Sequence, residues 1–170
     1  MKELKIRAIV GNAVLVLASV LMISFIFMPM LADTNGSAVY SIADSMFDMN
    51  NISQVLGENS LYYILSGAFM IAYFIFAIST FVMAVISLVG ACLDRPRLSL
   101  ALGTRALTLA AAVVCSISII FLALHHQSHG IVTTTFGYGL FVELAISFLG
   151  VGASFTAPTK RHFFKVLENM

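Results

Sequence analysis

The sequence has no tryptophan, two cysteines, three prolines and charge on only 10% of its residues. Each shortage excludes something. A soluble domain carries about 25% charged residues and about 45–50% apolar ones. This chain is 60% apolar, more than one soluble core of its size can hide. A soluble enzyme, a nucleic-acid-binding domain and a disordered chain are excluded on that ground. The net charge of +1 leaves no global field to attract nucleic acid. Cys92 and Cys115 sit in apolar surroundings and fit no CxxC, zinc or haem spacing. They imply no disulfide framework, and a quinone-linked thiol relay lacks its cysteine pairs. Without Trp, any aromatic belt must be built from Tyr and Phe.

Basic residues are missing over two long stretches. All nine fall in three groups: Lys2, Lys5 and Arg7; Arg95, Arg97 and Arg105; Lys160, Arg161 and Lys165. Four apolar runs can be read, at 8–31, 61–91, 102–124 and 134–155, the third of which holds Arg105 near its start. Each has the ~20 residues that a ~30 Å hydrocarbon core demands. None alternates with period two, so they read as helices and not as barrel strands. The first run is too long for a signal h-region of ~7–15 residues and reads as a retained helix. The expectation is an all-α integral membrane protein: one four-pass domain over 1–170, folded as a four-helix transmembrane bundle.

Charge placement predicts the orientation. In a four-pass chain the three basic groups share one side. The other side carries Asp33, Asp44, Asp48 and Glu58 and no Lys or Arg. The positive-inside rule then predicts cytoplasmic N and C termini in a plasma (cytoplasmic) membrane. So one-sided a distribution also argues against a dual-topology exporter.

The outer loop at 32–60 is the one sizeable soluble segment. Val39, Ile42, Met46 and Met49 recur at helical spacing, with Ser37 placed to cap. Ile52, Val55 and Leu56 suggest a second turn ended by Gly57. Two short surface helices are expected, with Val39, Ile42 and Met46 offering a face to a partner. Asn35-Gly36-Ser37 and Asn51-Ile52-Ser53 match the glycosylation sequon, a pattern that also arises by chance. The tail at 156–170 interleaves basic and apolar residues. Lys160, Arg161 and Lys165 there are expected to lie on lipid head groups of the inner leaflet.

Glu143 is the one acidic residue deep in a run. Counted from the start of the fourth run it lies ~12 Å in, at 1.5 Å per residue. A charge at such depth costs ~2.5–3.5 kcal/mol on insertion scales, so the group is expected protonated or facing the bundle with a partner. Gly139, Glu143, Ser147, Gly150 and Ser154 form a small polar stripe at helical spacing. Thr104, Thr108, Ala111, Cys115 and Ser118 form a matching stripe on the third run. Such stripes let helices approach closely. Ser116, Cys115, Tyr73 and Ser24 are the candidate partners of the carboxyl. A proton-coupled or substrate-binding carboxylate is weighed against a neutral acid that merely bonds helices together. The second is favoured, because Glu143 stands alone and no repeat or broken helix of the transporter kind is visible.

His125, His126 and His129 form a second cluster, with His125 and His129 four apart. Asp44 and Asp48 are conceivable oxygen ligands for a metal there. The plainer reading is polar residues finishing a helix at the head groups, and no metal or cofactor is assigned. No nucleophile–base set, HExxH, GxSxG or phosphate loop is present. The outline of four spans with a longer first loop resembles that of claudins and tetraspanins. Their loop cysteines and the claudin Trp are missing, and no residue is carried over.

The expected role is a non-enzymatic accessory or structural subunit, with the lipid bilayer and a membrane protein or a second copy as partners. The rival is a small proton-coupled transporter or channel using Glu143. A third reading is an extracytoplasmic metal or ligand sensor using the histidines.

Overall fold

Four helices are long and apolar enough to cross a membrane: Glu3–Phe27, Leu61–Cys92, Leu98–His125 and Gly139–Thr156. They belong to a computed structural model that describes residues 2–33, 39–48, 60–128 and 134–158. In chain order the elements are α1 (Lys2–Ser24), continued by a 3-10 turn (Phe25–Phe27), and β1 (Pro29–Asp33). Then come β2 (Val39–Ser41), α2 (Ile42–Phe47), α3 (Ser60–Cys92) and α4 (Leu98–Ser128). β3 (Thr134–Phe136) and α5 (Gly139–Thr156) complete the order.

The buried residues of α3 recur at steps of four and three: Ser66, Met70, Tyr73, Ala77, Thr80, Ala84, Ser87, Ala91. Those of α4 do the same: Ala101, Thr104, Thr108, Ala111, Cys115, Ser118, Leu122, His125. A 3.5-residue repeat keeps one seam facing a neighbour and implies a left-handed coil. The four long helices form a square, in which α1 packs on α3 and α5, and α4 packs on α3 and α5. α3 and α5 are therefore diagonal, as are α1 and α4.

Small residues line most of the α3–α4 seam, so these two helices lie closely together. Their connection is tight. Asp94 takes a left-handed conformation (φ 58°) just past α3, where the chain must reverse. The Arg95 N–H then reaches back to Gly90 O at 2.8 Å. Lys5 Nζ meets Asp94 Oδ1 at 2.7 Å, tying the start of α1 to this turn. We call this the turn end of the bundle.

The opposite end departs from the all-α expectation. A three-stranded antiparallel sheet, ordered β2–β1–β3, caps it. Pro29 cannot continue the first helix, because it lacks an N–H. Thr134, Thr135 and Phe136 are β-branched or aromatic and suit a strand. The first and fourth runs therefore each surrender residues to the sheet. The register shifts between Pro29 and Leu31, as an extra residue in one strand requires. The neighbouring Met30 and Leu31 are in consequence both buried.

α2 begins at Ile42 and is capped by Ser41, not by Ser37, which lies outside the described residues. Ser41 Oγ accepts the Asp44 N–H at 3.1 Å, and Asp44 Oδ2 accepts the Ser41 N–H at 2.8 Å, a reciprocal capping box. Nor does α2 lie loosely on a surface. Ile42 and Met46 are buried within the chain's own core, and Ser45 Oγ is 2.6 Å from Tyr63 Oη on α3. The apolar face offered above to a partner is thus spent internally. Val39 is exposed, but on a strand. The suggested second helix, at 52–57, lies outside the described residues.

Candidate functional site

β3 shortens α5 to 18 residues, or ~27 Å, while α3 has 33 and reaches ~50 Å. The start of α5 is therefore set deep, beneath the sheet. Gly137 makes that seat possible: its N–H bonds to Met30 O at 2.9 Å. A Cβ at Gly137 would collide with the carbonyl of Pro29. Glu143 is only four residues into α5, ~6 Å along its axis, not the ~12 Å counted from the run. It is nonetheless level with the middle of the bundle. Its partner Tyr73 lies thirteen residues, ~20 Å, from the start of α3.

The carboxyl has no solvent exposure. Tyr73 Oη donates to Glu143 Oε2 at 2.7 Å. Since α3 and α5 are diagonal, this bond crosses the bundle axis. Ser147 Oγ donates to Glu143 O at 2.7 Å and lies 3.3 Å from Tyr73 Oη. Cys115 Sγ, on α4, is 3.9 Å from Leu140 O. Four residues from three helices thus meet at one level: Glu143, Ser147, Tyr73 and Cys115. Glu143 Oε1 has no hydrogen-bond partner among the described residues.

Other candidates fall elsewhere. Ser116 bonds its own helix at Ala112 O, 2.8 Å away, and is not a partner of Glu143. Ser24 is likewise turned to Val20 O. Ser118 pairs with Ser66 across α3–α4, Oγ to Oγ at 2.8 Å. Each of these two hydroxyls also reaches the other's backbone carbonyl, at 2.9 and 3.0 Å. Thr108, Ala111, Gly150 and Ser154 are buried in the seams. Gly139 is buried too, but against Met28 and Pro29 of the cap and not against another span.

His125 is buried beside Tyr63, ring centroids 5.9 Å apart. Asp44 is engaged in the α2 cap. Among the described residues no three His, Cys, Asp or Glu side chains gather as a metal site would require. The His126 side chain, His129, Lys160, Arg161, Lys165 and both sequons lie outside the described residues.

Three polar features escape the stripe analysis. Ser66, Tyr73, Thr80 and Ser87 lie seven apart on one seam of α3, a repeat legible in the sequence once a heptad is sought. Thr80 Oγ1 is buried with no partner among the described residues. Arg105, counted above only as a topology charge, packs against α5. No spacing rule announces that contact.

Set beside known proteins, the chain matches no protein-family model, no curated protein and no solved structure. The chemistry of the site must be taken from its geometry. The sealed carboxyl has one donor, Tyr73, and one thiol at its edge, and among the described residues no metal-site cluster forms around it. What it does offer is a fixed bond across the bundle axis, with one oxygen unfilled.

Proposed function

We propose that the chain is a small, non-enzymatic four-pass membrane protein that serves as an accessory or structural subunit of a larger membrane assembly. One observation supports this reading above the others. Three pairs of buried polar side chains in the central and sheet-end core bond from one element to another. Ser66 and Ser118 join α3 to α4, Tyr73 and Glu143 join α3 to α5, and Ser45 and Tyr63 join α2 to α3. Groups used in this way hold helices in register. The proposed orientation follows the basic residues: termini and α3–α4 turn in the cytoplasm, sheet outside, in a plasma membrane. The partner is a membrane protein or a second copy, and the lipid bilayer surrounds the spans.

A second reading is favoured by the unfilled Glu143 Oε1. Intramembrane carboxyls mark proton and substrate sites in transporters. One experiment separates the two. Glu143→Gln keeps shape and hydrogen bonding but cannot ionise. A subunit should tolerate it, losing near the ~0.6 kcal/mol average of interhelical bonds. It should also co-purify with a partner in mild detergent, and show no proton-coupled flux in liposomes. Robust pH-gradient-driven flux in wild type, abolished in a fully stable Glu143→Gln variant, would overturn the subunit reading and establish the transporter.

A further inference from the structure

Arg105 is a basic residue seven positions inside the span that begins at Leu98. No carboxylate pairs with it among the described residues. Its guanidinium lies 4.1 Å from the centroid of the Phe155 ring. Nη2 donates to Ser154 O at 3.3 Å, and Nε is buried with no acceptor among the described residues. A planar cation is thus held on an aromatic face, aimed by one long bond, with donors to spare.

Its surroundings say where the cation sits. α5 ends at Thr156, two residues past Ser154, while α4 extends seven residues from Arg105 to Leu98. At 1.5 Å per residue α4 overshoots α5 by ~7 Å, which among the described residues leaves a step at the turn end. Phe155, beneath the guanidinium, is exposed, and so are Leu102 and Leu109 on α4. The cation therefore lies at the lipid-facing edge of the α4–α5 seam, level with the end of a ~27 Å helix. Ser154 lies eleven residues, ~16 Å, along α5 from Glu143 at mid-bundle, about half of a ~30 Å hydrocarbon core, beyond which head groups begin. A charged group near the end of a span turns toward the interface, and the arginine fork matches phosphate oxygens.

We infer that Arg105, backed by Phe155 in the step where α5 ends, binds the phosphate of an anionic phospholipid in the leaflet at the turn end. The ligand chemistry is a phosphodiester that carries no cation of its own. The site is independent of whether the chain is a subunit or a transporter.

The test is native mass spectrometry of the full chain released from mixed phosphatidylglycerol and phosphatidylcholine micelles. Wild type is expected to retain phosphatidylglycerol in preference. Arg105→Gln should cut that retention about fivefold, the effect of one basic residue at an anionic surface. Arg105→Lys should fall between, since an ammonium keeps the charge but neither the fork nor the stacking. Phe155→Leu should weaken retention, and Arg97→Gln, exposed just before α4 and without an aromatic backing, should weaken it less than Arg105→Gln does. Equal retention of the two lipids by wild type would overturn the assignment. So would undiminished phosphatidylglycerol on a folded Arg105→Gln or Arg105→Lys variant. Displacement of the lipid by millimolar inorganic phosphate would assign the site to free phosphate and overturn the lipid proposal.

Discussion

The two halves of the bundle are built by opposite rules. Toward the sheet, the core is bulky: Met22, Ile26, Met30, Tyr63, Met70, Leu122 and Leu140 are all buried. Its buried hydroxyls bond across elements, as Ser66–Ser118, Tyr73–Glu143 and Ser45–Tyr63 do. Toward the turn, Leu15 is the only buried apolar side chain larger than alanine among the described residues. Hydroxyls and amides there bond back to their own helices: Asn12 to Ala8 O, Ser19 to Leu15 O, Thr104 to Leu100 O, Thr108 to Thr104 O. One half is held by side chains that interlock, the other by backbones brought close. In lipid both are sensible, since apolar surface gains nothing by leaving the bilayer and packing must supply the attraction.

The comparison can be broken, beginning with the largest effect. Gly137→Val drives a branched side chain into the Pro29 carbonyl. The cap that seats α5 should be lost, at a cost of ~3 kcal/mol or more. Loss of thermal stability in detergent should be accompanied by release of Glu143 from Tyr73. An unchanged melting temperature would mean that the sheet does not set the depth of α5.

Next, the halves should respond to opposite substitutions. Met22→Ala or Met70→Ala empties the bulky half and should cost ~2–5 kcal/mol. The turn half should instead be broken by enlargement: Ala84→Leu or Ala153→Leu costs ~1–3 kcal/mol. Urea-free thermal scans of the four variants give the comparison directly. Tolerance of leucine at both alanine positions would show that the turn half is loosely packed.

Hydroxyls should sort in the same way. Tyr73→Phe strips Glu143 Oε2 of its donor and should cost ~1–3 kcal/mol. Thr108→Val removes a bond internal to α4 and should change stability by less than ~0.5 kcal/mol. Equal losses would erase the distinction between bonding across and bonding back. The smallest expected effect has the opposite sign. Thr80→Val removes a buried hydroxyl that has no partner among the described residues, and should stabilise by up to ~1 kcal/mol. Destabilisation of that size would reveal a partner for Thr80.

The sequence by itself determined that four segments are long and apolar enough to span a membrane, because length and apolar composition are additive along the chain. It also determined which faces of the third and fourth spans turn inward. Glu143, Ser147, Gly150 and Ser154 share one face by spacing alone, as do Thr108, Ala111, Cys115 and Ser118, and all eight are buried. Periodicity carries that information locally. What periodicity cannot carry is which face meets which. Tyr73 and Glu143 are seventy residues apart, and nothing between them encodes a diagonal bond. Ser116 looked as suitable as Tyr73 until rotation about the α4 axis turned it to its own backbone. The sheet was hidden for a related reason. β1 is completed by β3, about a hundred residues later, and neither strand is long enough to declare itself. Yet that pairing, by shortening α5, decides how deep Glu143 sits. Depth, partner and the step beside Arg105 are properties of where helices end relative to one another, and only the tertiary structure fixes those ends.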